Sequence, residues 1–235
     1  MAKHIITNKD RIELNRIMIN GLMHSSAKNI DSINILRYQI ASVEPMVLFR
    51  KQQESLPVNK RKNAVDYTNL RNIGEAYDFI LEHKYEKIDA YQIIQLHSIL
   101  AKDTDVSSGY RVAMARVLGQ FAPSIEKIYY RMDQIQYHLN DKHFPVLTRA
   151  FDLHFDIIET QPFNDLNKRL SRLVMNWFLI QNGYRPIVFN KKTDSTEYMA
   201  ALHNKIEGNH RAYTEYMEKS MLHTQQEIIK LLKSR

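Results

Sequence analysis

Helix-breaking residues are scarce in this sequence, which has only six glycines and six prolines among 235 residues. Together they make up about 5% of the chain, roughly half of what is usual in globular proteins. β-Sandwiches and barrels need turn residues every few positions, so this scarcity argues against them and favours long helices joined by short loops. With 44% apolar and 25% charged residues, the chain can also bury a core. We therefore expect an all-α fold.

Composition also excludes several kinds of site. The chain has no cysteine, which rules out disulfides, thiol catalysis and cysteine-based zinc sites. It has neither a paired-histidine metal motif nor a glycine-rich loop of the P-loop or Rossmann type. The longest uncharged run, 173–184, is too short to cross a bilayer, and the N-terminus has no signal-peptide pattern. We expect a cytoplasmic protein without a membrane partner.

The formal net charge of +7 favours acidic partners in principle. A mild basic excess more often serves solubility, and no other feature of the sequence supports a nucleic-acid-binding protein. We therefore do not expect nucleic acid as a partner. A salt titration would test this, because nucleic-acid binders lose affinity steeply as salt rises. The sequence does not indicate an oligomeric state.

Apolar residues recur at helical spacing along most of the chain and predict a series of helices. Two are predicted in the N-terminal quarter, before a loop at 56–63. Asp89 and Ser124 stand where helix caps are expected, and Gly183 and Gly208 where helices end. The helices predicted after the loop are 65–81, 89–100, 124–139, 145–159, 170–182, 194–208 and 213–232.

The most informative segment is QPFNDLNKRLSR, residues 161–172, between two of the predicted helices. The second of these helices begins near Asn167, and a helix N-terminus attracts anions through its free N–H groups and dipole. Arg169 and Arg172 are three residues apart, so two guanidinium groups on one face can grip phosphate oxygens. Asp165 can hold Mg²⁺ beside substrate phosphates. On spacing alone, the alternative is an ordinary helix start with two solvated arginines.

This segment resembles the signature of the Fic (Fido) domain family, H-P-F-x-[D/E]-G-N-[G/K]-R-x-x-R. The residues that agree with the signature are Pro162, Phe163, Asp165, Asn167, Lys168, Arg169 and Arg172. The Asn-Lys-Arg run is also similar to the Doc toxin branch. Ala150 and His154 precede the motif with the family's A-x-x-x-H spacing, and GYRPI follows it at 183–187. The resemblance implies a Fic-type helical bundle with a short β-hairpin flap.

The flap is expected in 107–123, which contains two of the six glycines and has little helical periodicity. Together with residues 96–97, the triplets at 109–111 and 117–119 resemble the segment that builds the family's target-docking flap. The flap residues singled out are Val112, Val117 and Gly119. The resemblance implies a protein partner docked there by strand addition.

Domain boundaries follow from the extent of the resemblance. The Fic-like core is predicted at 65–218, after an N-terminal helical region at 1–64. A C-terminal helix is predicted at 219–235. No linker that would separate independent domains is evident in the sequence.

Family members transfer AMP from ATP to a hydroxyl group of a target protein. The resemblance therefore implies ATP and Mg²⁺ as cofactors of an active protein. It implies Mg²⁺ at Asp165, with Lys168 in the nucleotide-binding set. Asn167 and Arg169 would bind the α- and β-phosphates, and Arg172 the γ-phosphate.

Two residues depart from the signature in its catalytic loop. Gln161 replaces the histidine that accepts a proton from the attacking hydroxyl, and an amide cannot accept one at neutral pH. Leu166 replaces a glycine whose missing side chain lets phosphate approach, so we expect it to crowd the phosphate path. We therefore expect an adenylyltransferase-like protein that is impaired or inactive. The alternatives are an active nucleotidyl or phosphoryl transferase with a noncanonical base, and a docking module without catalysis.

A third departure lies upstream. Residues 25–30, SSAKNI, resemble the family's inhibitory helix. The match rests on Ser25 and the serine after it, and Asn29 stands where the family has a glutamate that pairs with the motif's second arginine. Asn29 has no charge, so a tight ion pair with Arg172 is not available. The alternative is an ordinary turn between helices. His154 is a conceivable surrogate base, but we expect it and His97 to be structural.

Overall fold

The computed structural model describes residues 64–189 and 194–233. A two-stranded antiparallel hairpin lies between the second and third helices, which confirms the all-α class with a short hairpin. The elements are α1 Ala64–Glu82, α2 Ala90–Ala101, β1 Arg116–Val117, β2 Gln120–Phe121, α3 Ile125–Asn140, α4 Val146–Thr160, α5 Asn167–Gln181, α6 Asp194–Ile206 and α7 His210–Lys233.

Short-range sequence signals set several helix ends as predicted. The Asp89 side chain accepts a hydrogen bond from the Gln92 backbone at 3.0 Å and caps α2. Gly183 and Gly208 follow α5 and α6 with φ of +74° and +89°, the left-handed conformation that terminates helices. Ser124 precedes α3 as predicted, but among the described residues its side chain makes no capping hydrogen bond.

The helices α4 and α5 form the centre of the bundle. On one side α1 and α2 pack together and against α5, while α3 packs on α4 and α6 pairs with α7. Every residue of α5 from Leu173 to Leu179 is buried, including Trp177. The Trp177 Nε1 donates to the carbonyl of His83 at 3.2 Å, which ties α5 to the end of α1. The motif segment therefore lies where the two central helices meet.

Some of the predictions are not tested by the described residues. The N-terminal helical region at 1–64, with Ser25 and Asn29, lies almost wholly outside the described ranges. The helix α7 is continuous from His210 to Lys233 and so crosses position 218, and the division of the chain there stays a prediction. Within the described ranges, no helix is long and apolar enough to span a membrane.

Candidate functional site

The loop between α4 and α5 is held by two non-glycine residues in the left-handed conformation. Gln161 is the C-cap of α4 with φ +45° and ψ +59°, and its N–H donates to Ile157 O at 3.0 Å. Leu166 is the N-cap of α5 with φ +66° and ψ +1°. Each such residue costs about 1–3 kcal/mol, which the surrounding structure must supply, and strain of this kind concentrates at functional sites. We call residues 161–166 the motif loop.

The side chain of Leu166 packs inward. It is only 9% exposed and belongs to the hydrophobic core. The expected crowding of the phosphate path is therefore not what the structure shows, because the four added carbons lie among apolar residues. The sequence could not reveal this, since the direction of the side chain depends on the left-handed backbone at that residue.

The start of α5 can accept an anion. Leucine has no hydrogen-bond acceptor in its side chain, so within the described ranges α5 begins without a side-chain cap, and its first turn carries no acidic residue. Helix N-termini in this condition present backbone N–H groups and a positive dipole end to a ligand.

Asn167 holds the motif loop in its folded shape. Its side chain is 3% exposed, and its Oδ1 accepts a hydrogen bond from Phe163 N at 3.0 Å. Its Nδ2 donates to Phe163 O at 2.7 Å and to Gln161 Oε1 at 3.1 Å. The side chain expected to bind phosphate is thus bonded within the loop.

The Gln161 side chain is half-buried and hydrogen-bonded at both ends of its amide. Its Nε2 donates to Ile158 O at 2.7 Å, and its Oε1 accepts from Asn167 Nδ2 at 3.1 Å. An amide has no basic nitrogen. The position of the family's histidine is therefore occupied by a group that can fix geometry but cannot take up a proton.

The charged residues of the motif have different surroundings. The Asp165 carboxylate is exposed, and its Oδ1 accepts from Leu166 N at 2.6 Å, which leaves Oδ2 as a possible cation ligand. Lys168 is exposed on the first turn of α5. Arg169 is half-buried, and its Nη1 donates to Asn69 Oδ1 on α1 at 2.8 Å. One carboxylate and two cations therefore lie at the start of α5.

Arg172 lies one turn further along α5, between two aromatic rings. The centre of its guanidinium group is 4.6 Å from the ring centroid of Tyr198 and 5.0 Å from that of Phe189. Contacts of this kind contribute roughly 0.5–2 kcal/mol. Among the described residues its buried Nε–H has no hydrogen-bond partner. The aromatic pair thus fixes the orientation of the arginine expected to meet the γ-phosphate.

His154 is structural, as expected. It is fully buried, with Nδ1 2.8 Å from the Tyr213 hydroxyl and Nε2 3.0 Å from the Tyr198 hydroxyl. Tyr213 donates its proton to Phe151 O, so it accepts from Nδ1–H, and Nε2 accepts from Tyr198. Burial, and secondarily the charge of Arg172, lowers the pKa of His154 to about 3. A neutral imidazole with both nitrogens bonded is not a surrogate base.

His97 supports the motif loop from α2. Its ring stacks on Phe163 with the centroids 3.7 Å apart and the planes 7° apart. Its Nε2 lies 3.2 Å from Asp165 O, and burial lowers the pKa of the ring. His97 thus has the expected structural role, packing against the loop that carries Asp165.

The flap is a tight hairpin. Arg116 pairs with Phe121 and Val117 with Gln120, so the turn consists of residues 118 and 119. Both have positive φ, +51° at Leu118 and +83° at Gly119. Two positive φ values are the mark of the turn type whose twist matches a two-residue hairpin. Gly119, expected to dock a target, is thus needed for the turn itself.

The flap residues differ in how far they are exposed to solvent. Val112 is 83% exposed, as a docking residue should be, whereas Val117 is 8% exposed and packs in the core. Met114 and Phe121 lie in the predicted flap but were not singled out as docking residues, and they are 73% and 61% exposed. The alternation of strand side chains could have indicated Phe121, because it lies across from Arg116 on the solvent face.

Comparison with known proteins identifies the family of this site. Residues 87–179 match the model of the Fic/DOC family. The protein adenylyltransferase fic-1 of Caenorhabditis elegans is 26% identical over 216 residues, which cover 85% of this chain and 42% of that protein. The protein adenylyltransferase Fic of Drosophila melanogaster is 27% identical over 192 residues, covering 76% and 38%. The chain thus spans less than half the length of these curated relatives.

Solved structures agree in fold. Fic-1 of C. elegans superimposes with a TM-score of 0.71 at 19% identity, covering 95% of this chain and 73% of that one. A Fic-domain signalling protein from Bacteroides thetaiotaomicron gives 0.68 at 18% identity, covering 94% and 97%. IbpAFic2 covalently tethered to Cdc42 gives 0.50 at 14% identity, covering 80% and 61%. The resemblance drawn from the motif is therefore confirmed: residues 87–179 match the Fic/DOC family model, and the chain has the Fic helical fold.

Proposed function

We propose that this chain binds ATP and Mg²⁺ at the start of α5 as a Fic-type nucleotidyltransferase domain, and that its transfer of AMP to protein hydroxyls is impaired. The relatives named protein adenylyltransferases support the type of reaction. We infer the impairment from Gln161, because its side-chain amide occupies the position of the family's proton acceptor and is hydrogen-bonded at both ends.

The start of α5 supports nucleotide binding. An uncapped helix N-terminus, Lys168 and Arg169 together offer positive charge and N–H donors to phosphate oxygens. Arg172, oriented by its two aromatic neighbours, would reach the phosphate furthest from the nucleoside. Because the Asn167 side chain is bonded within the loop, we assign it the role of holding the loop rather than that of a ligand.

Asp165 fits a magnesium site that is completed by the nucleotide. Mg²⁺ usually takes one or two protein carboxylates and completes its coordination with phosphates and waters. Within the ranges 64–189 and 194–233, no cluster of three or more His, Asp or Glu could hold a metal ion. The exposed Asp165 carboxylate is therefore suited to hold the ion with the phosphates, where Mg²⁺ would neutralise their charge.

The missing base determines the expected rate. Loss of a general base typically lowers a rate by about 10²–10⁴-fold, or roughly 3–5 kcal/mol of barrier. Neither His97 nor His154 can substitute, since both are buried and hydrogen-bonded away from an attacking hydroxyl. We therefore expect the native chain to bind nucleotide and transfer AMP at a background rate.

The flap supports a protein partner. The structure of IbpAFic2 tethered to Cdc42 shows that a protein of this fold is found with a protein target. In this chain, Val112, Met114 and Phe121 present apolar side chains on the flap, beside an edge that can pair with an extended peptide. We propose that a target segment docks here.

Calorimetric titration with MgATP and with ADP tests the binding half of the proposal. The native chain should bind both, and Arg169→Ala should lower the affinity by roughly tenfold or more, as expected for a lost charge-assisted bond. Arg211→Ala on α7, which removes an exposed arginine paired with Glu215, is the matched control and should bind like the native chain. Equal affinity in the native chain and Arg169→Ala would remove the start of α5 as the binding site.

A further inference from the structure

Arg111 is the most deeply buried cationic side chain among the described residues, at 2% exposure. Within the described ranges, every hydrogen bond that we find for its guanidinium group ends on a main-chain oxygen. Nε donates to Gln161 O at 2.6 Å, and Nη1 donates to Ala113 O at 2.7 Å. Nη2 donates to Pro123 O, with a longer contact of 3.5 Å to Thr160 O. The guanidinium group therefore joins two segments that are distant in sequence.

These two segments are the flap and the motif loop. Ala113 and Pro123 lie at the two ends of the hairpin, whereas Thr160 and Gln161 end α4. The backbone adds to the link, because Arg111 N donates to Pro162 O at 2.9 Å. Next to it, residues 110 and 163 form an isolated antiparallel bridge. Both ends of the flap are thus fastened to the start of the motif loop.

The chemistry of arginine suits this junction. Its planar group has five donors directed in different directions and stays protonated even when burial lowers its pKa, as it does here. The accepting oxygens of Thr160 and Gln161 lie at the C-terminal end of α4, where the helix dipole favours a positive charge. A lysine would keep the charge, but its three donors on a single nitrogen cannot reach oxygens on both segments.

We propose that Arg111 is a positioning residue that couples the flap to Gln161. The guanidinium group holds the main chain of Gln161 in its left-handed conformation and holds the flap at the same time. Resting on the proposed function, a peptide that orders the flap would thereby stabilise the residue that faces the reacting hydroxyl. Loosening the flap would loosen Gln161.

Hydrogen–deuterium exchange of the full chain without nucleotide tests this coupling. Gly119→Ala perturbs only the flap turn, since the new Cβ meets no atom within 4 Å but φ is +83°. In the native background this change should raise exchange in both 112–121 and 161–166, by about tenfold for amides protected by local structure. In an Arg111→Lys background it should raise exchange in 112–121 alone.

The matched control is Arg116→Ala, which removes an exposed arginine of the same hairpin that lies over Phe121 at 4.4 Å. It leaves both the turn and Arg111 in place, so it should change exchange in neither 112–121 nor 161–166. If Arg111→Lys does not fold, exchange of the native chain in low denaturant gives the answer. The two segments should then open with one common free energy, and separate openings would overturn the coupling.

The coupling would also be overturned if Gly119→Ala raised exchange in 161–166 equally in the native and the Arg111→Lys backgrounds. Because no nucleotide is present, this outcome is distinguishable from failure of the proposed function, which the calorimetric titration measures. A native chain that binds no nucleotide but shows the coupled exchange would leave the role of Arg111 intact and remove its link to catalysis.

Discussion

The two ends of the motif loop differ in which chemistry they retain. At the start of α5, an exposed carboxylate, Lys168 and Arg169 remain around an uncapped helix N-terminus. At the end of α4, the amide of Gln161 can accept no proton, although its backbone keeps a special left-handed conformation. The difference teaches that a loop can present a helix N-terminus and cations suited to an anion at one end without a proton acceptor at the other.

Two side chains hold the two ends of the motif loop in place. Asn167 reaches back across the loop to Gln161 and Phe163, and Arg111 holds the carbonyl of Gln161 from the flap side. None of these bonds requires a proton acceptor at position 161.

Breaking the link between the two ends is expected to affect both stability and nucleotide binding. Asn167→Ala removes three hydrogen bonds, two of them buried, and leaves the main-chain N–H and C=O of Phe163 without the partners that Asn167 supplies. We expect the free energy of unfolding to fall by about 3 kcal/mol, and nucleotide binding to be lost with the loop. Urea denaturation measures the first effect and calorimetry the second.

Asn164→Ala is the control for that variant. Asn164 is exposed in the same loop and donates one hydrogen bond, to Ser107 Oγ at 2.8 Å. Its loss should cost less than about 0.5 kcal/mol, as is usual at the surface. If the two variants were equally stable, the loop would not depend on the Asn167 side chain.

Substitutions of Leu166 separate burial from backbone strain, because burial of its side chain stabilises the fold and its left-handed backbone destabilises it. Leu166→Ala loses core packing, for which about 2–5 kcal/mol is typical, and keeps the strained φ. Leu166→Gly loses the same packing but relieves roughly 1 kcal/mol of strain. We therefore expect the glycine variant to be the more stable of the two. The reverse order of midpoints in urea would show that the left-handed conformation imposes no penalty.

Short-range signals of helix ends could be predicted from the sequence, whereas the inward packing of Leu166 could not. The cap at Asp89 and the left-handed stops at Gly183 and Gly208 depend on a few neighbouring residues. Leu166 belongs instead to a core that is assembled from residues throughout the described chain. A motif gives residue types and spacing, but not the direction in which a side chain leaves a left-handed backbone.

The same limit applies to the long-range contacts of the site. Arg111 was recognised only as part of a flap pattern, because its acceptors are distributed from residue 113 to residue 161. Val117 was expected at the docking surface, yet the register of the two-residue turn directs it into the core. Such placements depend on tertiary packing, which no local pattern reports.

The buried histidine predicts a pH dependence of stability. The pKa of His154 is lowered to about 3 in the folded chain from about 6.5 when unfolded, so the unfolded state binds the extra proton. Its stabilising contribution is complete above about pH 6.5 and is lost as pH falls toward 3, by up to about 1.4 kcal/mol per pH unit. Asp156 makes stability change with pH in the opposite direction, because burial raises the pKa of its carboxyl group to about 6 in the folded chain. The difference between the native chain and His154→Gln isolates the histidine.

Urea denaturation of both proteins at several pH values between 4 and 7 checks this. The native chain should lose stability relative to His154→Gln as pH falls through this range. A constant difference between the two proteins would mean that His154 titrates alike in both states, contrary to its burial among Tyr198 and Tyr213.

The smallest effect is expected at the far end of the phosphate site. Arg172→Ala should lower the affinity for ATP by about tenfold while changing that for ADP little, because only ATP carries the third phosphate. Arg211→Ala, which removes an exposed arginine on α7 paired with Glu215, should leave both affinities unchanged. Equal losses for ATP and ADP would place Arg172 elsewhere on the nucleotide. Calorimetry with the two nucleotides gives the comparison.

The most direct test of the proposed function is the labelling of the chain with AMP from ATP and Mg²⁺. The native chain should transfer AMP at background, and Gln161→His should transfer about 10²–10⁴-fold faster because it restores a proton acceptor. Gln161→Asn should remain at background. Since Leu166 packs in the core, the single histidine variant should suffice without Leu166→Gly. Robust transfer by the native chain, or no gain in Gln161→His, would contradict the central claim.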